Sequence, residues 1–220
     1  MPDVRKLLAE VLGTYILVLV GGAAILSAGA SGATTVVVVI AFGFGLALLA
    51  GLYAFGEVSG GHYNPAVSLA MVLDGRMDPM SMAAYWVSQI AGGVLAGLTL
   101  LVATSKDAVA STATVFGPGV EAWEAFLFEA VFTAIFLLVI LKVTTSERFG
   151  PTAFLAISLT LVVIHLALVP FTGSSVNPAR SLGSGIVGGV WTDQWVYWIA
   201  PLVGAAVGWA VHHFVAAESE

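Results

Sequence analysis

Two stretches decide how this chain folds: Ser59-Gly60-Gly61-His62-Tyr63-Asn64-Pro65-Ala66-Val67 and Ser174-Ser175-Val176-Asn177-Pro178-Ala179-Arg180-Ser181. Each carries Asn-Pro-Ala. Proline suits the first position of a helix, where its missing N–H would be unpaired anyway. Asparagine is a preferred cap just ahead of it. Each stretch therefore predicts a helix start. Both helices are short, because polar or glycine-rich sequence arrives at Asp74-Gly75 and at Gly188-Gly189. At about 1.5 Å per residue, each covers only about half a bilayer. Two half-helices with their N-termini inside a membrane would build a polar site at its midplane.

The composition fits a membrane setting. Of 220 residues, 59% are hydrophobic and 9% charged, and the mean hydropathy is +1.02. Soluble domains carry about 25% charged residues. The chain has no cysteine, which excludes disulfides, thiolate metal sites and cysteine nucleophiles. Apolar runs at about 7–26, 36–55, 82–103, 122–142, 152–170 and 195–215 are each long enough to cross about 30 Å of hydrocarbon. The alternating ten-residue pattern of a membrane barrel is not seen. The expectation is an all-α membrane protein of six spans plus two re-entrant half-helices. Glu10 inside the first apolar run argues for a retained span rather than a signal peptide.

The halves repeat. Asn64 and Asn177 are 177 − 64 = 113 residues apart, Tyr85-Trp86 recurs as Tyr197-Trp198, and Glu10-x-x-x-Thr14 recurs as Glu129-x-x-x-Thr133. Three spans per repeat is an odd number, so the second copy enters the membrane the other way up. The chain reads as one channel-like domain over 1–220, with repeat 1 at about 5–103, a Thr/Ser/Gly-rich linker at about 104–121 and repeat 2 at about 122–215. Six spans put both termini on one side. That side would hold Arg5, Lys6, Arg76, Lys142 and Arg148 against Lys106 opposite, which places the termini in the cytoplasm and the linker outside the cell.

At this point the sequence resembles the aquaporins, the major intrinsic proteins, over about residues 5 to 215. The paired Asn-Pro-Ala, the paired Glu-x-x-x-Thr and Asn-Pro-Ala-Arg-Ser in the second half carry the resemblance. It implies a passive water channel in the cell membrane, in contact with lipid, without cofactor or metal, not an enzyme and with no nucleic-acid partner. It also implies a homotetramer with one pore per protomer. Gly92, Gly93, Gly97, Gly204 and Gly208 offer close-packing surfaces of the kind such an assembly needs.

Asn64 and Asn177 cap the half-helices beside Pro65-Ala66 and Pro178-Ala179. Each side-chain oxygen should face its own backbone, and each NH2 group the pore. Helix N-termini add positive potential there, which favours water over cations. The resemblance places Phe44, His165, Ser174 and Arg180 in the ring that filters solutes, and the pairing of Phe44 with His165 is similar to water-selective members. Ser181 after the arginine and Tyr197-Trp198 agree; Gly185, where such members usually carry Ala, departs at a packing position. Leu48 lies four residues after Phe44, and Leu161 four before His165, so each shares a helix face with its partner and should line the pore. Backbone carbonyls of Gly60, Gly61, His62, Tyr63, Gly173, Ser174, Ser175 and Val176 should supply a polar stripe, since non-helical backbone at that depth needs a wet lining.

Glu10 and Glu129 lie inside spans, where acids are costly and functional by default. One reading makes them a proton relay in a coupled transporter. The other, favoured by their symmetric placement, makes them acceptors for backbone N–H groups of the re-entrant loops. Gln89 should play a similar supporting part. Glu57 should reach the cytoplasmic mouth with no assigned role. A facilitator for small neutral solutes such as glycerol is the nearest alternative function.

Overall fold

The computed structural model describes residues 3–31 and 35–216, and among these there is no strand. Six helices are long and apolar enough to cross a membrane. They are α1 (Val4–Ser31), α2 (Val36–Ser59), α4 (Pro79–Ala103), α6 (Ala122–Thr145), α7 (Ala153–Thr172) and α9 (Gln194–Val211), the last extended by a wider turn over His212–Ala216. Between them stand the short helices α3 (Pro65–Leu73), α5 (Lys106–Ser111) and α8 (Pro178–Gly188).

Local chemistry sets these boundaries. Asn64 and Asn177 are extended and accept from the backbone N–H groups of Ala66 and Ala179, so α3 and α8 each start at a proline behind an asparagine cap. Asp78 caps α4 ahead of Pro79, and Glu121 with Glu124 forms a capping box on α6. Gly60 (φ 91°) and Gly173 (φ 70°) end α2 and α7 in the left-handed region, where a glycine needs no strain.

Packing follows the repeat. α1 lies against α2 and α4, and α6 lies against α7 and α9 in the same relation. The halves join where α2 meets α7 and where each half-helix crosses to the other half, α8 onto α4 and α3 onto α9. This is an inverted repeat of three spans and a half-helix. The linker is not bare loop. Ser105 caps α5, and the segment after it is drawn inward, with Thr112 and Thr114 buried.

The glycines expected to serve contacts between protomers are used inside the chain, which corrects that expectation. A Cβ at Gly92 would strike the Val11 carbonyl on α1, and one at Gly93 the Ala179 carbonyl on α8. A Cβ at Gly97 would meet the Gly183 carbonyl; Gly204 and Gly208 face the Ala130 and Ala134 carbonyls on α6. Without these glycines the backbones could not approach so closely. They hold α4 and α9 to their neighbours and carry no information about oligomeric state. Overpacking at such a site costs about 1–3 kcal/mol or more. Gly93→Val is therefore expected to lower the thermal midpoint, followed by tryptophan fluorescence in detergent. Gly29→Ala, where nothing lies within 4 Å of the new Cβ, should leave the midpoint equal or slightly higher.

Candidate functional site

Each re-entrant loop is tied to a buried carboxylate. Glu10 on α1 accepts from Ser59 Oγ (2.7 Å), His62 N (3.0 Å), Tyr63 N (2.7 Å) and Gln89 Nε2 (2.7 Å). Glu129 on α6 accepts from Thr172 Oγ1 (2.6 Å), Ser175 N (2.9 Å) and Val176 N (2.7 Å). Ser59 and Thr172, His62 and Ser175, and Tyr63 and Val176 are pairs separated by the same 113 residues as Asn64 and Asn177. The tyrosines of the repeated Tyr-Trp complete the pattern. Tyr85 Oη donates to the Ser59 carbonyl (2.8 Å), and Tyr197 Oη to the Thr172 carbonyl (2.9 Å). These bonds hold backbone that would otherwise relax. Tyr63 (φ 50°), Ser174 (φ 53°) and Val176 (φ 45°) all sit in the left-handed region, which is an outlier for a β-branched valine.

The two asparagines brace one loop against the other. Asn64 Oδ1 accepts from Ala66 N (2.9 Å), while its Nδ2 donates across to the Val176 carbonyl (2.8 Å). Asn177 Oδ1 accepts from Ala179 N (3.0 Å) and Arg180 N (3.3 Å), and its Nδ2 donates to the Tyr63 carbonyl (2.9 Å). No local pattern in the sequence announces this bridge. One N–H of each amide is spent on it, which leaves one for the cavity that both residues line.

That cavity is narrow, about 50 Å³, room for about four waters at ~10–15 Å³ each. Its wall includes Leu48, Leu161, Gly60, Gly61, His62, Ser175 and Val176 together with both asparagines. Phe44, His165 and Arg180 also line it, and Phe44 meets each of the other two. Phe44 stacks on His165 (centroids 4.7 Å, 29°), and the Arg180 guanidinium carbon sits 4.9 Å from the Phe44 centroid. His165 Nδ1 lies 3.0 Å from the Leu161 carbonyl. A carbonyl only accepts, so Nδ1 carries the proton and Nε2 presents a lone pair. Arg180 Nη1 donates to the Thr112 carbonyl (2.9 Å) and to Ser184 Oγ (3.3 Å). His165 Nε2, Arg180 Nε and Ser174 Oγ are buried with no hydrogen-bond partner among the described residues.

Three expected residues do not border this stretch of the cavity. Tyr63, Gly173 and Ser174 are not on this wall. Tyr63 turns its ring into the protein, with Oη donating to the Gly51 carbonyl (3.0 Å), and its own carbonyl is taken by Asn177. At Gly173 and Ser174 two successive left-handed residues turn the chain, and Ser174 N is tied back to Thr172 Oγ1 (3.2 Å). The next residue, Ser175, is on the wall. Gln89 supports the first loop through Glu10 and Ser68. Glu57 borders a wider vestibule with Lys6 and Arg76. No cluster of three His, Asp or Glu able to hold a metal is found among the described residues.

Sequence reading missed the roles of Tyr85, Tyr197, Ser59 and Thr172. It also missed the linker's part, in which Thr112 holds Arg180, Thr114 Oγ1 donates to Ser181 Oγ (2.8 Å), and Gln194 Nε2 donates to the Thr114 carbonyl (2.8 Å). The recurrence of Tyr-Trp at the repeat spacing was the one available signal.

The carboxylates generate a graded expectation. Both oxygens of Glu10, and both of Glu129, accept a backbone N–H. An amide at either position must turn its NH2 toward one such donor, and each buried donor left unpaired costs about 1–3 kcal/mol. Glu10→Gln and Glu129→Gln should lower the thermal midpoint, and Glu10→Ala and Glu129→Ala should lower it further. Equal midpoints for wild type and the alanine variants would remove the carboxylates from the loop scaffold.

Known proteins are similar to this chain over nearly its whole length. The family model for the major intrinsic protein matches residues 1–212. An Aquaporin Z of Photorhabdus laumondii is 38% identical over 98% of this chain and 99% of its own length. A glycerol uptake facilitator protein-like 6 of Lactiplantibacillus plantarum is 40% identical over 91% and 93%. Among solved structures, the aquaglyceroporin from Plasmodium falciparum superposes with a TM-score of 0.88 at 27% identity, covering 97% of this chain and 96% of that one. A multi-pass helical protein whose re-entrant loops meet on a narrow cavity, and which the family model matches almost end to end, belongs to the major intrinsic protein family of membrane channels.

Proposed function

We propose that this channel conducts water selectively and refuses protons and ions, working in the cell membrane as a homotetramer with one pore per protomer. The observation that carries the reading is the contact of Phe44 with both His165 and Arg180 on the cavity wall. Two rings and a guanidinium in contact leave little width, and the free His165 Nε2 and Arg180 Nε offer one acceptor and one donor to a passing water. Ser174, three residues before Asn177 and with its hydroxyl unpartnered, is the proposed fourth member of that ring. Both termini are placed in the cytoplasm on the lysine and arginine bias. The tetramer rests on the family resemblance alone, and native mass spectrometry in detergent checks it.

A glycerol facilitator is the second reading, favoured by the name of one relative and by the apolar flank that Leu48 and Leu161 give the cavity. The coupled-transporter reading loses its basis, because Glu10 and Glu129 are occupied by the loop donors described above and neither lines the cavity. Stopped-flow light scattering on proteoliposomes separates the first two: fast water flow with glycerol flow at the lipid background is expected. Phe44→Ala combined with His165→Ala should then admit glycerol while water flow persists. Glycerol flow through the wild type would favour the facilitator.

Arg180 places a positive charge at low dielectric, where its field is strong. Arg180→Val is expected to raise proton leak, read with a pH dye trapped in the vesicles. The cysteine-free chain has no thiolate to bind mercury tightly, so wild-type flow should ignore it at low micromolar mercury. Ser174→Cys should conduct until mercuric chloride is added and recover with excess thiol. A channel that stays open with the thiol shown to have reacted would remove Ser174 from the ring.

A further inference from the structure

The narrow cavity continues past the asparagines, away from Phe44, into a vestibule of about 480 Å³. Gly60, His62, Met71, Thr144 and Phe154 stand on the walls of both spaces and mark the neck between them. Along α2, Gly60 is 16 residues beyond Phe44, about 24 Å at ~1.5 Å per residue. The neck is therefore a separate place from the Phe44 ring.

Its side chains come from four different segments, and each is held. Phe154 on α7 lies over Gly56, where a Cβ would stand 2.9 Å from its Cζ, and packs edge-on with Tyr53 (5.6 Å). His62 Nδ1 lies 3.0 Å from Ser68 Oγ, and its ring stands edge-on to Tyr85 (5.1 Å). Thr144 on α6 donates to the Ile140 carbonyl (2.7 Å) and accepts from Arg76 Nη1 (2.9 Å). Arg76 Nε pairs with Asp74 Oδ2 (2.9 Å), and Arg76 N donates to the Met71 carbonyl (2.9 Å). Through Arg76, the end of α3 that carries Met71 is clamped to Thr144.

The repeat does not impose this neck. At the 113-residue spacing the counterparts of Phe44, His165 and Arg180 are Ile157, Leu52 and Val67. All three line the cavity and all are aliphatic. The inverted copy of the polar ring has thus become smooth wall. An aromatic ring, a histidine and an arginine reappear further out, at the neck, from positions unrelated by the repeat.

We propose that this neck is a second selectivity ring, in which Phe154, Met71, His62 and Thr144 set the width and Arg76 is the positioning residue that holds α3 to Thr144. The inference rests on the reading of the cavity as the conducting path. It adds that solutes are sized at both ends. With two rings in series, the narrower one masks the other, so the inner ring shows itself once the outer one is opened.

The test is glycerol and water flow in proteoliposomes for wild type, the Phe44→Ala/His165→Ala double variant, and each with Phe154→Ala, Phe154→Leu or Arg76→Ala added. Phe154→Ala alone is expected to leave glycerol excluded. Added to the double variant it should raise the glycerol-to-water ratio several-fold, with Phe154→Leu intermediate. Arg76→Ala should raise the ratio in the same background by freeing Thr144, at an unchanged thermal midpoint; Arg76→Lys, which keeps the charge but cannot span Asp74 and Thr144 together, should behave like Arg76→Ala. An unchanged ratio for both Phe154 variants, in protein with wild-type elution and midpoint, overturns the inner ring. Should the double variant fail to admit glycerol, the outer ring is judged by Phe154→Ala alone, whose glycerol flow would overturn it. The triple variant then decides the inner one: glycerol flow supports it and none overturns it. Should wild type pass glycerol, Phe154→Ala alone decides in the same way.

Discussion

A buried carboxylate accepting the backbone N–H groups of a re-entrant loop is the interaction on which the rest of this structure depends. Backbone that leaves the helix inside a membrane has no water to satisfy it except where it lines a wet cavity. The inner side of each loop faces protein, so its N–H groups need acceptors there. Glu10 and Glu129 provide four oxygens aimed at seven donors. The cost of burying a charge is offset by those bonds, and the left-handed turns at Tyr63 and Val176, each costing about 1–3 kcal/mol, persist because the surrounding bonds over-determine them. Release either carboxylate and the loop can relax, the asparagine moves, and the half-helix behind it loses its starting point.

The scaffold is symmetric and the wall is not. Backbone-directed bonds recur across the halves: Glu10 with Glu129, Ser59 with Thr172, Tyr85 with Tyr197, Asn64 with Asn177. Gln89 is an exception, with Pro201 at the matching place in the second copy of the Tyr-Trp segment. Side chains facing the cavity diverge freely, as Arg180 against Val67 shows. The division has a physical reason. A loop bond is needed in both copies to keep the backbone satisfied, whereas a wall residue answers only to what passes it. Function is therefore free to vary within a fold that is not.

The sequence made legible what is local or periodic. Six spans follow from apolar run length, the half-helices from Asn-Pro caps, and the inverted repeat from an odd number of spans. Glu10 and Glu129 stood out because an acid in a membrane helix is rare. What escaped was contact between segments far apart in the chain. The asparagine bridge joins residues 112 and 114 apart, and no period announces it. Thr112 sat in a stretch whose composition reads as linker, yet its carbonyl fixes Arg180. The glycines misled for a related reason. Small residues on a helix say that something approaches closely, but not whether it is another protomer or, as at Gly93 and Ala179, the same chain.

The asparagine bridge bears on how the proposed water channel would refuse charge. Each amide has two N–H groups, and one is committed to the opposite loop. The bridge fixes the plane of each amide, so the remaining N–H groups are pre-aimed rather than free to rotate. A water at the centre would accept from both asparagines and so use both of its lone pairs. Its two protons would then point away along the cavity in opposite directions. Passing a proton through that water requires it to accept one, and it has no lone pair left to do so. The N-termini of α3 and α8 add positive potential at the same spot, and Leu48 and Leu161 offer no alternative acceptor. A cation arriving there would meet donors only. On the proposed reading the block at the centre would need no charged side chain, and the Arg180 guanidinium would add a second barrier in series with it.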